Sequence, residues 1–242
     1  MSINAIAFAL FAGSLALAVA PACAQASFSV GPRVGLNIST YHFSEPSPVF
    51  RQEYRPGLEA GLMGSLGFGH LALQPALLYS QKGFTQYTTV DVRTGTNLPV
   101  GSGELEYRTR LHYVTLPLNI AYTQQANGQG FQLFAGPYLG LLLRGKYEIT
   151  TTVAGNSFTD SGKIIPVNND APDFGSYAHR LDAGLQGGVG YRFQALLLQA
   201  NYSLGLRDVV ARYSYYGGTA SGSAYYNRAF QVALTYLMSP AK

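Results

Sequence analysis

The sequence is short of charge, of cysteine and of tryptophan. Only 12% of the 242 residues are Asp, Glu, Lys or Arg, about half the usual share in soluble domains. An ordinary solvated surface is therefore hard to build from this chain. There is no Trp, and the single cysteine is Cys23, which excludes a disulfide framework and any cysteine-rich metal site. No GxSxG, HExxH or cysteine cluster is present, so the common hydrolase and zinc signatures are missing. The formal charge of +4 is spread along the chain without a Lys/Arg block, which argues against nucleic-acid binding. Gly184–Gly190 is rich in glycine, but it lies inside a strand pattern and no helix follows, so it is no nucleotide loop. No cofactor and no metal are expected.

One long apolar run exists, and it is at the start. Ile3 to Ala22 is apolar and ends in Pro21-Ala22-Cys23-Ala24-Gln25-Ala26. Ala24-Gln25-Ala26 is an A-x-A cleavage pattern, so residues 1–26 are read as a secretory signal peptide and 27–242 as the mature domain. The run has no Lys or Arg before it, which leaves an uncleaved anchor as the alternative; its length is short for a span of about 20 residues. A lipid attachment at Cys23 is disfavoured, because Ala20-Pro21-Ala22 lacks the usual leucine. With Cys23 removed, the mature chain has no thiol, which suits export through an oxidising compartment.

What the chain does have is alternation. In Ser27–Ser39 one set is Phe28, Val30, Pro32, Val34, Leu36 and Ile38, and the other is Ser29, Gly31, Arg33, Gly35 and Asn37. A strand sends successive side chains to opposite faces, so this stretch has one greasy and one small, polar face. The pattern recurs over 55–68, 71–82, 111–123, 131–146, 177–191, 195–207 and 226–237. Eight such strands follow, each long enough to cross a membrane at a tilt, which takes about 9–11 residues. Gly69-His70, Asn127-Gly128 and Arg192-Phe193-Gln194 make short links, and 41–54, 83–110, 147–176 and 208–225 are long, polar ones. Short periplasmic turns with long outer loops mark an outer-membrane barrel.

Rings give an independent check. Phe28, Phe68, Tyr122, Phe131, Tyr191 and Tyr236 stand on the greasy face at the short-turn end, as an interfacial girdle would. A soluble eight-stranded barrel would place the greasy face inside. Here the polar face is mostly Gly, Ala, Ser, Asn and Gln, a good packed lumen and a poor soluble surface. The expected fold is all-β: a closed eight-stranded antiparallel up-and-down transmembrane β-barrel preceded by a signal peptide, in the outer membrane of a Gram-negative bacterium. Pro32, Pro56, Pro75, Pro117 and Pro137 lie inside strands, where each removes a ladder donor, so bulges are expected there.

Several stretches resemble a known family. LALQPALLYSQKG (Leu71–Gly83), YVTLPLNIAY (Tyr113–Tyr122), FQLFAGPYLGLLL (Phe131–Leu143), DAGLQGGVGYRF (Asp182–Phe193) and YSLGLRDV (Tyr202–Val209) are similar to the PorT-like outer-membrane β-barrel domain, small "porin family protein" barrels typical of Bacteroidetes. The resemblance spans the mature chain and implies the same eight-stranded barrel. It implies no reaction, and the strand prolines belong to the family pattern.

Parity then assigns candidate residues. Arg33, Glu59, Lys82, Arg144, Arg180, Asp182 and Arg207 fall on the lumenal face. An eight-stranded barrel is just wide enough for side chains to fill, so these ions are expected to form a salt-bridge plug rather than a diffusion path. The fourth long link carries Arg212, Tyr213, Tyr215, Tyr216 and Tyr225 among Gly and Ser, a composition suited to adaptable surface contact. The leading expectation is a monomeric, non-enzymatic barrel whose partners are outer-membrane lipid and a protein or glycan met by its extracellular loops, or which acts in envelope integrity. One alternative is an outer-membrane enzyme using His112 or His179 with Asp182 or Asp208 at the rim. The other is a narrow channel or secretion accessory.

Overall fold

Each alternating stretch forms a strand in the computed structural model, which describes residues 27–43, 51–93, 99–169, 171, 175–211, 214–215, 218–219 and 224–239. The expected signal segment, 1–26, lies outside them. The strands are β1 (Ser27–Phe43), β2 (Arg51–Phe68), β3 (Leu71–Arg93), β4 (Pro99–Thr123), β5 (Gly130–Val153), β6 (Asn156–Val167), β7 (Tyr177–His179), β8 (Leu181–Phe193), β9 (Leu196–Gly205), β10 (Ser214–Tyr215), β11 (Gly218–Thr219) and β12 (Tyr225–Tyr236).

Eight of them close a ring in the order β1-β2-β3-β4-β5-β8-β9-β12, with β12 returning to β1. Closure leaves the ring without a free edge, the condition for a sheet to sit in lipid. The faces are inverted relative to a soluble protein. Leu36 is 62% exposed and its neighbour Asn37 0%; Leu133 is 63% exposed and Gln132 3%. All six rings of the short-turn girdle are outward and exposed, and Phe131 meets Tyr191 edge-on at 4.9 Å. The short turns form at Gly69-His70 and around Asn127-Gly128, where Gly69 and Gly128 adopt positive φ, a conformation glycine takes without strain. The segment directly after β12 stays tied down: Leu237 N donates to Ala195 O and Met238 pairs with Val30.

Two long links are not loops. The 83–110 segment is a hairpin in which β3 runs on to Arg93 and β4 starts at Pro99, paired throughout. The 147–176 segment carries β5 out to Val153 and back as β6, which then pairs in parallel with β7. Above the membrane both faces of a hairpin meet water, so the greasy face disappears while the β-branched Thr residues still favour strand.

The prolines do less to the ladder than expected. A register shift accompanies Pro56, between Tyr54 and Glu59. Pro32, Pro75, Pro117 and Pro137 lie in runs whose register is unbroken. The other shift within the wall carries no proline: His112 pairs with Arg144 but Tyr113 with Leu142.

Candidate functional site

The lumen is filled by two ion pairs and a chain of amides. Toward the short-turn end, Arg33 on β1 pairs with Glu59 on β2 at 3.1 Å, both buried. The other side of the Arg33 guanidinium donates to Gln199 Oε1 on β9. Gln199 donates to Gln74 at 3.0 Å, and Gln74 to Gln132 at 2.7 Å. This chain runs from β2 through β1, β9 and β3 to β5, so it crosses the barrel. Arg33 and Thr235 also point at the Met63 sulfur.

Above it sits the second pair. Lys82 Nζ on β3 lies 3.2 Å from Asp182 Oδ2 on β8. Asn227 donates to the same oxygen at 2.8 Å, and the Tyr138 hydroxyl donates at 3.3 Å. The ammonium also lies 4.6 Å from the Tyr138 ring centre and 5.4 Å from that of Tyr113. Gly184 makes room for this: a Cβ there would fall 2.7 Å from the Tyr138 ring. The space left beside Glu59, Lys82 and Tyr138 is about 10 Å³, as is that at the short-turn end beside Gln74 and Gln132. A cavity of that size holds one water at most.

The parity assignment needs three corrections. Arg144, Arg180 and Arg207 are exposed, not lumenal. The slip at His112/Tyr113 puts Leu143 and Arg144 both outward. Arg180 occupies a bend between β7 and β8, and Arg207 lies beyond the end of β9, so alternation does not reach either. The lumenal charges among the expected set are thus two bases and two acids, paired one to one.

Outside the ion pairs the barrel mouth is aromatic. Tyr41, Phe84, Leu111, Tyr113, Leu142, Ile164, Ala178 and Val209 form one buried cluster, flanked by Phe43, Tyr107, Tyr147 and Tyr225. Ile164 and Ala178 come from the β6–β7 return, and Val209 from the segment after β9, so the outer links fold in as a partial roof. A cavity of about 310 Å³ remains among these segments and the tops of β1, β3 and β4. Burial among these rings pushes the Tyr107 hydroxyl up to about 12. The sequence pattern missed this cluster because its members come from the polar links as well as the strands. Tyr225 belongs to it: its ring meets Phe43 edge-on at 4.3 Å, so it is part of the mouth and not a free loop contact. Arg212, Tyr213 and Tyr216 lie outside the described residues, and Tyr215 falls in the short β10–β11 ribbon.

Among the described residues the rim histidines form no ion pair with the rim acids, although the bridge between Ala178 and Val210 brings His179 close to Asp208 along the backbone. His112 Nδ1 bonds the Tyr79 hydroxyl on the outer wall, while Asp182 faces the lumen. His179 bonds Val209 through its backbone. Asp208 Oδ1 accepts from the backbone N–H of Val210 and Tyr225 at 3.1 and 3.0 Å, which shapes its own turn. Among the described residues no group of three His, Cys, Asp or Glu is placed to hold a metal.

A closed ring of eight antiparallel strands, apolar outside and polar within, coincides with a family match over residues 23–211, described as outer membrane protein beta-barrel domain. The chain belongs to that family. The outer membrane protein beta-barrel domain places it in the outer membrane, and barrels of that kind generally keep their short turns in the periplasm and their long segments outside. Among solved structures it is similar to Ail, the attachment invasion locus protein of Yersinia pestis (9% identity, 88% of this chain and 99% of that one, TM-score 0.40). It is similar also to the N-terminal beta-barrel domain of Pseudomonas aeruginosa OprF (11% identity, 84% and 97%, TM-score 0.27). Likenesses at those scores carry no argument about what this barrel does. No curated protein matches the chain.

Proposed function

We propose that this protein is a non-conducting, non-enzymatic barrel that acts through its extracellular face, where the raised hairpins and the fourth link meet a protein or a surface glycan. The carrying observation is the contrast along the barrel axis. The lumen is crossed by paired ions and bonded amides with about 10 Å³ to spare, while β3, β4, β5 and β6 rise well beyond the membrane. A rigid platform with projecting segments suits recognition. Separation of His112 from Asp182 by the wall supports the non-enzymatic part of the reading. Membership of the PorT-like subset is part of the same proposal and rests on the motifs at 71–83 and 131–143.

Two measurements test it. In planar bilayers the folded protein should give no unitary conductance steps; steady open channels would overturn the sealed lumen. A variant with Tyr213, Tyr215 and Tyr216 changed to Ser, shown to insert and fold, should lose cell-surface partners that wild type cross-links. Unchanged cross-linking to both protein and glycan would overturn the role of the fourth link.

A further inference from the structure

The outer wall of the barrel carries an arrangement that the proposed extracellular role does not use. Arg110 on β4 pairs directly with Lys146 on β5, and Lys146 directly with Lys163 on β6. Three bases therefore stand side by side on one face, all exposed. Gly83, opposite Arg110 on β3, has no side chain, and Arg55 of β2 shares a cleft with the three bases. Arg55, Arg110, Lys146 and Lys163 line that cleft, of about 410 Å³, together with Arg108 and Glu148. Arg108 is already neutralised by Glu106 at 2.7 Å and Glu148 at 3.5 Å. Among the described residues, Arg55, Arg110, Lys146 and Lys163 have no carboxylate within ion-pair distance.

Like charges directly opposite each other weaken a sheet. Here the ladder aligns three of them, and Arg55, partly desolvated by burial, feels the repulsion of Arg110 and Arg108 against a smaller attraction from Glu148 and Glu106. Such a row is expected where an anion supplies the missing charge. The depth identifies the anion. Arg110 lies twelve residues along β4 from the girdle residue Tyr122, which at the usual rise and tilt is roughly 30 Å above it. The apolar band of such barrels is about 25 Å tall. Below the row the same face carries the pair His112 and Arg144, and beneath it Val114, Leu116, Leu118 and Ile120 on β4 and Leu139, Leu141 and Leu143 on β5. The bases therefore begin where the hydrocarbon ends, at the headgroups of the outer leaflet, and basic clefts at that depth suit phosphorylated headgroups.

We infer that the cleft formed by Arg55, Arg110, Lys146 and Lys163 is a binding site for the phosphorylated headgroup of an outer-leaflet lipid, whose acyl chains lie along the leucine face of β4 and β5. The site is on the wall, not in the lumen or the mouth, and so stands independently of the extracellular contact proposed above. Its role is to hold one lipid against the β3–β6 side of the barrel, fixing how the β5–β6 hairpin stands at the membrane surface.

The test uses the full chain, folded in zwitterionic detergent micelles, and a fluorescent diphosphoryl lipid A as probe. Wild type should bind the probe, and rising NaCl should weaken the binding. The same lipid stripped of phosphate should bind far less well, and inorganic phosphate in large excess should not displace the probe. Lys146→Gln/Lys163→Gln should weaken binding roughly 25-fold, at about fivefold per base near an anionic headgroup. Arg207→Gln/Arg228→Gln removes the same charge from the β9–β12 side of the rim, across the ring from β4, and should leave binding within about twofold of wild type, since charges far apart are screened. Equal losses in the two double variants would reduce the effect to diffuse rim charge and overturn the site. Salt-insensitive binding, equal binding of the stripped lipid, or displacement by inorganic phosphate would overturn the headgroup assignment. The wild-type salt and phosphate arms decide the matter even if a variant fails to fold.

Discussion

Replacing Asp182 by Asn should destabilise the barrel severely, because the change strands a charge. Asp182 is fully buried and Lys82 nearly so. The Asn keeps the shape and leaves Lys82 without its counter-ion. Breaking a buried pair from one side costs about 3–5 kcal/mol. The rings of Tyr113 and Tyr138 over the ammonium return about 1 kcal/mol of that. The Tyr138 hydroxyl and Asn227 amide keep an acceptor in Asn Oδ1, so they add little. The net expectation is a loss of about 2–4 kcal/mol. With a urea slope of about 1–3 kcal/mol/M, the unfolding midpoint should fall by about 0.7–4 M. The chain has no tryptophan, so the assay is urea unfolding in lipid vesicles followed by far-UV circular dichroism and by the gel mobility of unboiled samples. Asp160→Asn, on the exposed β6 strand, should shift stability by no more than about 0.5 kcal/mol. Lys82→Gln/Asp182→Asn, which removes both charges, should recover most of the loss, giving a coupling well above the few tenths expected of independent sites. Equal effects at 182 and 160, or additive effects at 82 and 182, would refute the buried pair.

Other expectations follow from the same geometry. A cysteine at Leu139 should react with a lipid-soluble thiol reagent and one at Tyr138 should not, since the two residues are 53% and 3% exposed; labelling of position 138 alone would overturn the register of β5. Arg33→Met should cost several kcal/mol because it strands buried Glu59, whereas Arg144→Met should change stability by about 0.5 kcal/mol or less; similar losses in both would return Arg144 to the lumen. Unboiled protein should run ahead of boiled protein on gels, because opening the ring exposes a whole row of strand hydrogen bonds; identical mobility in several detergents would count against a closed ring.

The membrane-embedded half of the fold was legible because lipid imposes a strict rule on every second residue. Val34, Leu36 and Ile38 must differ from Gly35 and Asn37, and that contrast can be read without coordinates. The rule lapses above the membrane. Thr85, Thr88 and Thr89 on β3 and Thr150, Thr151 and Thr152 on β5 sit in strands whose two faces are both polar or mixed, so polarity alone made them resemble loops. Their β-branching was the remaining signal, and it favours strand without fixing register. The aromatic mouth was hidden for a different reason. Phe84 and Tyr113 are strand residues, but Ile164, Ala178 and Val209 reach them only because β6, β7 and the segment after β9 fold inward, a long-range event that local pattern does not encode.

The lumenal charges show how much one irregularity decides. Carried unbroken from Gln132, parity sends every even-numbered residue of β5 inward. That rule holds for Phe134, Tyr138 and Leu142, all buried. Continued, it would also bury Arg144, Lys146 and Glu148, three more ions in a lumen with about 10 Å³ to spare beside its existing pairs. Each unpaired buried charge would cost several kcal/mol. The slip between His112 and Tyr113 prevents this: Leu143 and Arg144 both turn outward, Gly145 takes the inward place, and Lys146 and Glu148 follow outside. No proline or glycine lies among residues 111–114 or 141–144 to announce it. The same slip leaves the lumen with Arg33 matched to Glu59 and Lys82 to Asp182, and it sets Lys146 beside Arg110 on the outer wall. A two-against-one bulge thus exchanges an unaffordable interior for an outward row of bases at headgroup depth.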